Sequence, residues 1–233
     1  MTRAYSQFLR DKDEALLSSL IDLHSTPSLY RECMYQLGES LGKTVLDKIK
    51  DRKTGAYLAC TVEDADFLAK GILNKLEESL ASVKLACFWN QRFAPFELSN
   101  LQVAPIVKRY LEPTSAKIDS LIVVKSIISG ACVVRTNLLD TIERVTPDKI
   151  FIVAPVILKG AEDRLKEGFP ASVYEKFCFI YLAEDDERTS EGVVVPGIGG
   201  MVYTRLGFGS QEDKNHHIPN LVKQRRATLA IEA

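Results

Sequence analysis

The stretch Ile122-Val123-Val124-Lys125-Ser126-Ile127-Ile128-Ser129-Gly130-Ala131-Cys132 passes from an apolar run through small residues into a helical pattern. Residue types of this kind at such a junction suit anion binding. Gly130 and Ala131 leave their backbone amides open to close approach, and Ser126 and Ser129 bring hydroxyls. The first turn of a helix adds unpaired N–H groups at the positive end of its dipole. In a parallel sheet, ligands also collect beyond the carboxyl ends of the strands. The same composition has a packing explanation, because a strand-to-helix turn needs small residues and Ser129 can cap the helix. The loop has neither the Gly-Lys-Ser/Thr ending of a nucleoside-triphosphate loop nor the GxGxxG pattern of a dinucleotide site. Cys132 at the helix start is either a thiol with a lowered pKa or a small packed side chain.

A second concentration of chemistry is the acidic run Glu184, Asp185, Asp186 and Glu187, which follows another apolar stretch. Such a run either meets a metal ion or a sugar hydroxyl, or forms a solvated loop in which like charges keep water between them. The five cysteines (Cys33, Cys60, Cys87, Cys132, Cys178) are scattered, with no CxxC pair, and His24, His216 and His217 are the only histidines. That pattern fits reduced core thiols and offers no zinc set.

The elements that must position these residues follow from periodicity. Leu29, Cys33, Leu37, Leu41, Val45 and Ile49 recur every four residues after Ser25-Thr26-Pro27, which predicts a helix. A strand is expected at 56–60, a helix at 64–80 and a strand at 83–89. Residues 90–115 lack a clear period and are punctuated by Pro95, Pro105 and Pro113. Residues 120–127 form a nearly continuous apolar strand, and 130–144 a helix with Val133, Val134, Leu138 and Ile142 inward. Further strands are expected at 150–154, 176–182 and 192–195, with a helix at 161–166. Apolar strands alternating with helices predict an α/β fold with a mostly parallel central sheet covered on both faces. One domain over 1–233 is expected, with an N-terminal helical extension over about 1–25 and a mobile basic tail or interface arm over about 222–233.

With 46% hydrophobic residues, the 233-residue chain can bury one sizeable core. A formal net charge of −1 gives no overall field for nucleic acid or an anionic membrane, although Lys214, His216, His217, Lys223, Arg225 and Arg226 gather near the end. Apolar runs such as 121–128 fall well short of the roughly 20 residues that cross a bilayer. The first residues begin no apolar leader, so a cytoplasmic protein is expected.

On two segments in the right order, the chain resembles the uracil phosphoribosyltransferase family. That family carries an Asp-Pro-Met-Leu-Ala-Thr-Gly-Gly-Ser loop that grips the 5-phosphate of phosphoribosyl pyrophosphate (PRPP). Val124 to Cys132 stand in its place, with Ser129 matching the threonine, Gly130 and Ala131 the glycines and Cys132 the serine. Farther on, Gly192-Val193-Val194-Val195-Pro196-Gly197-Ile198-Gly199 is similar to the family segment whose backbone meets the uracil edge, and Arg205 to Ser210 to its end. The likeness spans roughly 119–210, and 26–88 in broad layout. It implies a phosphoribosyltransferase-like fold with a small hood or insertion region, PRPP or a nucleoside monophosphate as ligand, Mg²⁺ as cofactor if the protein is active, and a homodimer. It also implies phosphate binding by Ser126, Ser129, Gly130, Ala131 and Cys132, and base contact by Val195, Gly197, Ile198 and Gly199. Arg92, Asp185, Asp186 and Arg205 would help with pyrophosphate or sugar. The reaction implied is pentosyl transfer from PRPP to uracil or an altered base.

The departures from the family concern charge. Val124 holds the position of the aspartate that meets the ribose hydroxyls, and Lys125 that of the next residue, a proline. Gly200 and Tyr203 replace two aspartates of the base loop. Cys60-Thr61-Val62-Glu63-Asp64-Ala65 stands where the family has an arginine loop for pyrophosphate, and two carboxylates there repel it unless Mg²⁺ intervenes. Two other functions therefore stand beside transfer: a phosphoribosyltransferase-fold regulator or assembly subunit that binds a nucleotide without reacting, and an enzyme for another phosphorylated sugar or nucleotide.

Overall fold

Residues 2–97 and 102–232 are described by the computed structural model. The expected alternation appears as a central sheet in the order β1-β8-β7-β5-β2-β3-β4. Its strands are β1 (Arg3–Tyr5), β2 (Gly55–Thr61), β3 (Ser82–Asn90), β4 (Ile106–Leu111), β5 (Ile118–Val124), β6 (Ile127–Ile128), β7 (Lys149–Leu158) and β8 (Phe177–Asp185). The inner pairs β3-β2, β2-β5, β5-β7 and β7-β8 are parallel, while β1 and β4 close the two edges antiparallel. The short β6 continues the line of β5 and pairs β7. A two-stranded ribbon of β9 (Glu187–Arg188) and β10 (Val194–Val195) lies apart.

Helices α1 (Asp11–Ile21), α2 (Pro27–Lys48), α3 (Val62–Asp64) and α4 (Lys70–Glu77) fall in the first half, with a π-helical turn at Ala65–Ala69 between α3 and α4. The second half holds α5 (Cys132–Ile142), α6 (Ala161–Lys166), α7 (Ala171–Tyr174), α8 (Val202–Arg205), α9 (Gln211–His216) and α10 (Asn220–Glu232). Alternation along each strand splits the core. Leu58, Cys60, Ile122 and Phe151 pack with Leu37, Leu41 and Ile72 on one face, and Tyr57, Ala59, Leu121 and Val123 with Leu138 and Leu165 on the other. From Cys33 to Val45 the apolar stripe is the buried face of α2, whereas Leu29 is exposed, and the Thr26 hydroxyl accepts from the Leu29 amide as the helix cap.

Several expectations shift. The continuous helix expected at 64–80 is broken by the π turn, which an apolar period alone does not distinguish. The strand expected at 120–127 ends at Val124, because the buried side chains of Lys125 and Ser126 turn to a polar cluster. Residues 90–115, which show no period in sequence, contain the edge strand β4. The N-terminal extension is not only helical: Arg3 to Tyr5 pair with Asp185 to Ala183. The tail expected to be mobile is instead the helix α10. Leu221 and Val222 are buried, and the Asp66 carboxylate accepts from the amides of Asn220 and Leu221. Arg225 pairs with Glu77 and Glu112. Among the described residues, no helix is long and apolar enough to cross a membrane.

Candidate functional site

Strands β2, β3 and β5 run parallel and end together, and a crevice of about 300 Å³ opens beyond their carboxyl ends. Its floor is charged. Helix α3 begins directly after β2 and turns Glu63 and Asp64 inward, while β5 stops one residue short of Lys125. The Lys125 ammonium donates to Asp64 at 2.8 Å and to the Ser126 hydroxyl at 3.1 Å, and lies 3.2 Å from Glu63. Thr61 donates its hydroxyl to Asp64 at 2.6 Å. From the far side α9 delivers Lys214, whose ammonium donates to the Asn90 carbonyl at 3.1 Å and stands 3.6 Å from Glu63.

All four charged side chains are buried. Burial works against each charge, and their mutual attraction decides the outcome. For Glu63, burial raises the pKa, but the ammonium groups of Lys125 and Lys214 outweigh it and hold the carboxyl below the usual carboxylate range. Lys125 is likewise penalised by burial, yet Asp64 and Glu63 together bring it above an ordinary lysine. For Lys214 burial prevails over Glu63, with repulsion from Lys125 in the same direction, and its pKa is lowered. Two cations thus face two anions. Glu63 lines the crevice, while its Oε2 atom is buried 3.6 Å from the Lys214 ammonium and has no hydrogen-bond partner among the described residues.

The second wall is the turn into α5. Ser129, Gly130 and Cys132 line the crevice. Among the described residues, the amides of Gly130, Ala131, Cys132 and Val133 donate to no backbone carbonyl; the first such bond of this turn runs from Arg135 to Ala131. The cap position, Ala131, makes no side-chain bond either. A Cβ placed on Gly130 would meet nothing within 4 Å. Four unused donors at a helix start form an anion cradle. Ser126 is a correction: it is fully buried, its hydroxyl is held by Lys125, and it does not line the crevice.

The base-side segment behaves otherwise. The Gly197 amide donates to Asp185 at 2.8 Å, its carbonyl accepts from Arg3 at 2.6 Å, and the Ile198 carbonyl accepts from the Tyr30 hydroxyl at 3.0 Å. A Cβ on Gly199 would lie 2.2 Å from the Leu20 carbonyl oxygen. Gly197, Ile198 and Gly199 are therefore turned to the protein, and Val195 pairs Glu187 in the ribbon. Val193, Val194, Met201 and Tyr203 line the crevice instead. Among the expected helpers, Arg92 reaches the crevice, and its backbone amide donates to the Gln211 side chain at 3.1 Å. Asp185 is sealed, with both oxygens 2.8 Å from Arg3. Asp186 lies exposed and accepts from the Thr2 amide. Arg205 donates to the carbonyls of Leu20, Asp22 and Leu23 at the end of α1.

Lys214 and the usable oxygen of Glu63 escaped the sequence. Glu63 and Asp64 read as acids that repel pyrophosphate, because their neutralising partner Lys125 is 61 residues from Asp64 along the chain. Lys214 read as part of a solvated basic tail. The carboxylates are engaged within the protein: Glu63 and Asp64 share the Lys125 ammonium, and Asp185 is held by Arg3.

No protein-family model and no curated protein matches the sequence. Solved structures give similarities of differing strength. The AQ2163 protein from Aquifex aeolicus is similar with a TM-score of 0.69 at 14% identity, over 86% of this chain and 96% of that one. Looser similarities include the TT1426 protein from Thermus thermophilus, with a TM-score of 0.47 at 13% identity over 79% and 95% of the two chains. Another is the L. donovani hypoxanthine-guanine phosphoribosyl transferase, with a TM-score of 0.43 at 10% identity over 68% and 84%. At 14% identity the likeness to the Aquifex protein is one of fold, a mixed α/β domain with a central sheet flanked by helices.

Proposed function

We propose that this chain is a phosphoribosyltransferase-like protein whose crevice binds a ribose 5-phosphate ligand, either PRPP or a nucleoside monophosphate. The observation that carries this reading is the set of unused amides from Gly130 to Val133 beside a floor that holds Lys125 and Lys214. A phosphate seated there gains charge-assisted hydrogen bonds and the positive end of an 11-residue helix. The sequence resemblance in the same loop supports the same ligand class.

With PRPP the implied reaction is pentosyl transfer. The bond from ribose C1 to pyrophosphate oxygen breaks, pyrophosphate leaves with the electron pair, and a ring nitrogen of the base bonds C1 and releases its proton to water. Such a step needs no covalent protein nucleophile and depends on placement and charge. Uracil or an altered base would meet Val193, Val194 and Tyr203. One observation favours the non-reacting nucleotide-binding regulator: the backbone of Gly197 and Ile198 and the Asp185 carboxylate are already bonded within the protein.

Calorimetry with ribose 5-phosphate, uridine monophosphate and PRPP, followed by a pyrophosphate-release assay with pyrimidines and purines, tests both. Binding of ribose 5-phosphate is expected, and failure of all three ligands to bind overturns the proposal. Release with any base supports transfer; binding without release across the bases supports the regulator.

A further inference from the structure

Resting on the ligand class just proposed, we infer that the crevice takes its ribose phosphate without a divalent cation, and that Glu63 Oε2 accepts a sugar hydroxyl. Phosphoryl-rich ligands need positive charge beside them when the nearest side chains are carboxylates. Here that charge is built in. The Lys125 ammonium lies 2.8 Å from Asp64 and 3.2 Å from Glu63, so it already bridges the two carboxylates. A divalent ion coordinated by the same oxygens would have to expel it and leave a buried ammonium unpaired, which is costly. Lys214 adds a second cation on the crevice wall, and Arg92 a third at its rim.

The oxygens of Glu63 divide the work. Oε1 faces Lys125, whereas Oε2 stands 3.6 Å from Lys214 and has no hydrogen-bond donor among the described residues. The Glu63 side chain is only 9% exposed, and the residue lines the crevice. A buried carboxylate oxygen without a donor is expensive, and a ligand hydroxyl relieves that cost. Phosphate relieves it poorly, because its negative charge is repelled by the same oxygen. The ligand must carry a hydroxyl donor on the side facing α3 and its anion on the side facing α5, which describes a sugar phosphate. Val124, at the end of β5, offers a ribose no acceptor, and Glu63 supplies one from the end of the neighbouring strand β2.

Affinity for ribose 5-phosphate, 2-deoxyribose 5-phosphate and inorganic phosphate should be measured by calorimetry on the full chain, in EDTA and in excess Mg²⁺. The expected result is a ribose 5-phosphate affinity that agrees within about twofold between the two buffers. Ribose should be preferred over deoxyribose by roughly tenfold, the value of a hydrogen bond to a charged group. Glu63→Gln should erase most of that preference while strengthening inorganic phosphate binding, because the variant removes a negative charge beside Lys125 and Lys214. Binding that appears only with Mg²⁺ overturns the inference and leaves the ligand class standing. Equal affinity of the wild type for ribose and deoxyribose forms overturns the role of Glu63 even if the variant does not fold. Failure to bind in either buffer overturns this inference together with the proposed function.

Discussion

The turn at Gly130 and the segment at Gly197 to Gly199 look alike in sequence, as small residues beside short apolar strands, yet they do opposite things. At Gly130 the amide is unused and a Cβ would meet empty space. At Gly199 the chain has a φ of +77°, and a Cβ would sit 2.2 Å from a carbonyl of α1. The first glycine leaves room for something outside the protein. The second leaves room for the protein itself. A glycine in a loop thus indicates close approach, and only the partner tells whether that approach serves a ligand or the core.

Substitutions that treat the two regions alike should separate them. The largest effect is expected from Asp185→Ala, which strands a nearly buried Arg3 guanidinium and the Gly197 amide. Breaking such a pair costs about 3–5 kcal/mol in chemical denaturation, with ribose 5-phosphate affinity unchanged in the folded protein. A loss of affinity without loss of stability would instead return Asp185 to the ligand. Gly199→Ala should cost about 3 kcal/mol, through overpacking against Leu20 and an unfavourable left-handed backbone. Glu63→Gln should cost about 2 kcal/mol at neutral pH, since it weakens the pairing with buried Lys125. Because the folded pKa of Glu63, about 2, lies below the unfolded value of about 4.3, its stabilisation is complete above the latter and lost as pH falls through the former. Denaturation across that window should show the wild type and variant converging. The smallest effect is expected from Gly130→Ala, within about 0.5 kcal/mol, because its site is open and its φ is not positive.

Much of the fold was legible because it follows from periodicity. The stripe Cys33, Leu37, Leu41 and Val45 marks α2, and the apolar runs mark β2, β3, β5, β7 and β8. The edge strands were not legible, since β1 and β4 each bury few side chains and carry no clean alternation. In the site, the Ser129-Gly130 turn was visible from small residues at a strand-to-helix junction. Its charged floor was not, because Glu63, Lys125 and Lys214 come from three distant segments that only the sheet brings together. The acidic run at 184–187 misled for a related reason. Like charges in sequence imply solvent, but Arg3 crosses from the far end of the chain to cover Asp185.

Trp89, the sole tryptophan, is nearly buried and donates its indole N–H to the His217 carbonyl at 2.8 Å, while the Lys108 ammonium lies 5.5 Å from the centre of its ring. His217 closes the same short helix that carries Lys214 to the crevice, and Lys214 is tied to Asn90, the residue after the indole. An occupant that draws on the Lys214 ammonium is therefore expected to disturb both neighbours of the indole, and a titration of tryptophan emission against ribose 5-phosphate checks it, an unchanged spectrum at saturation counting against the coupling.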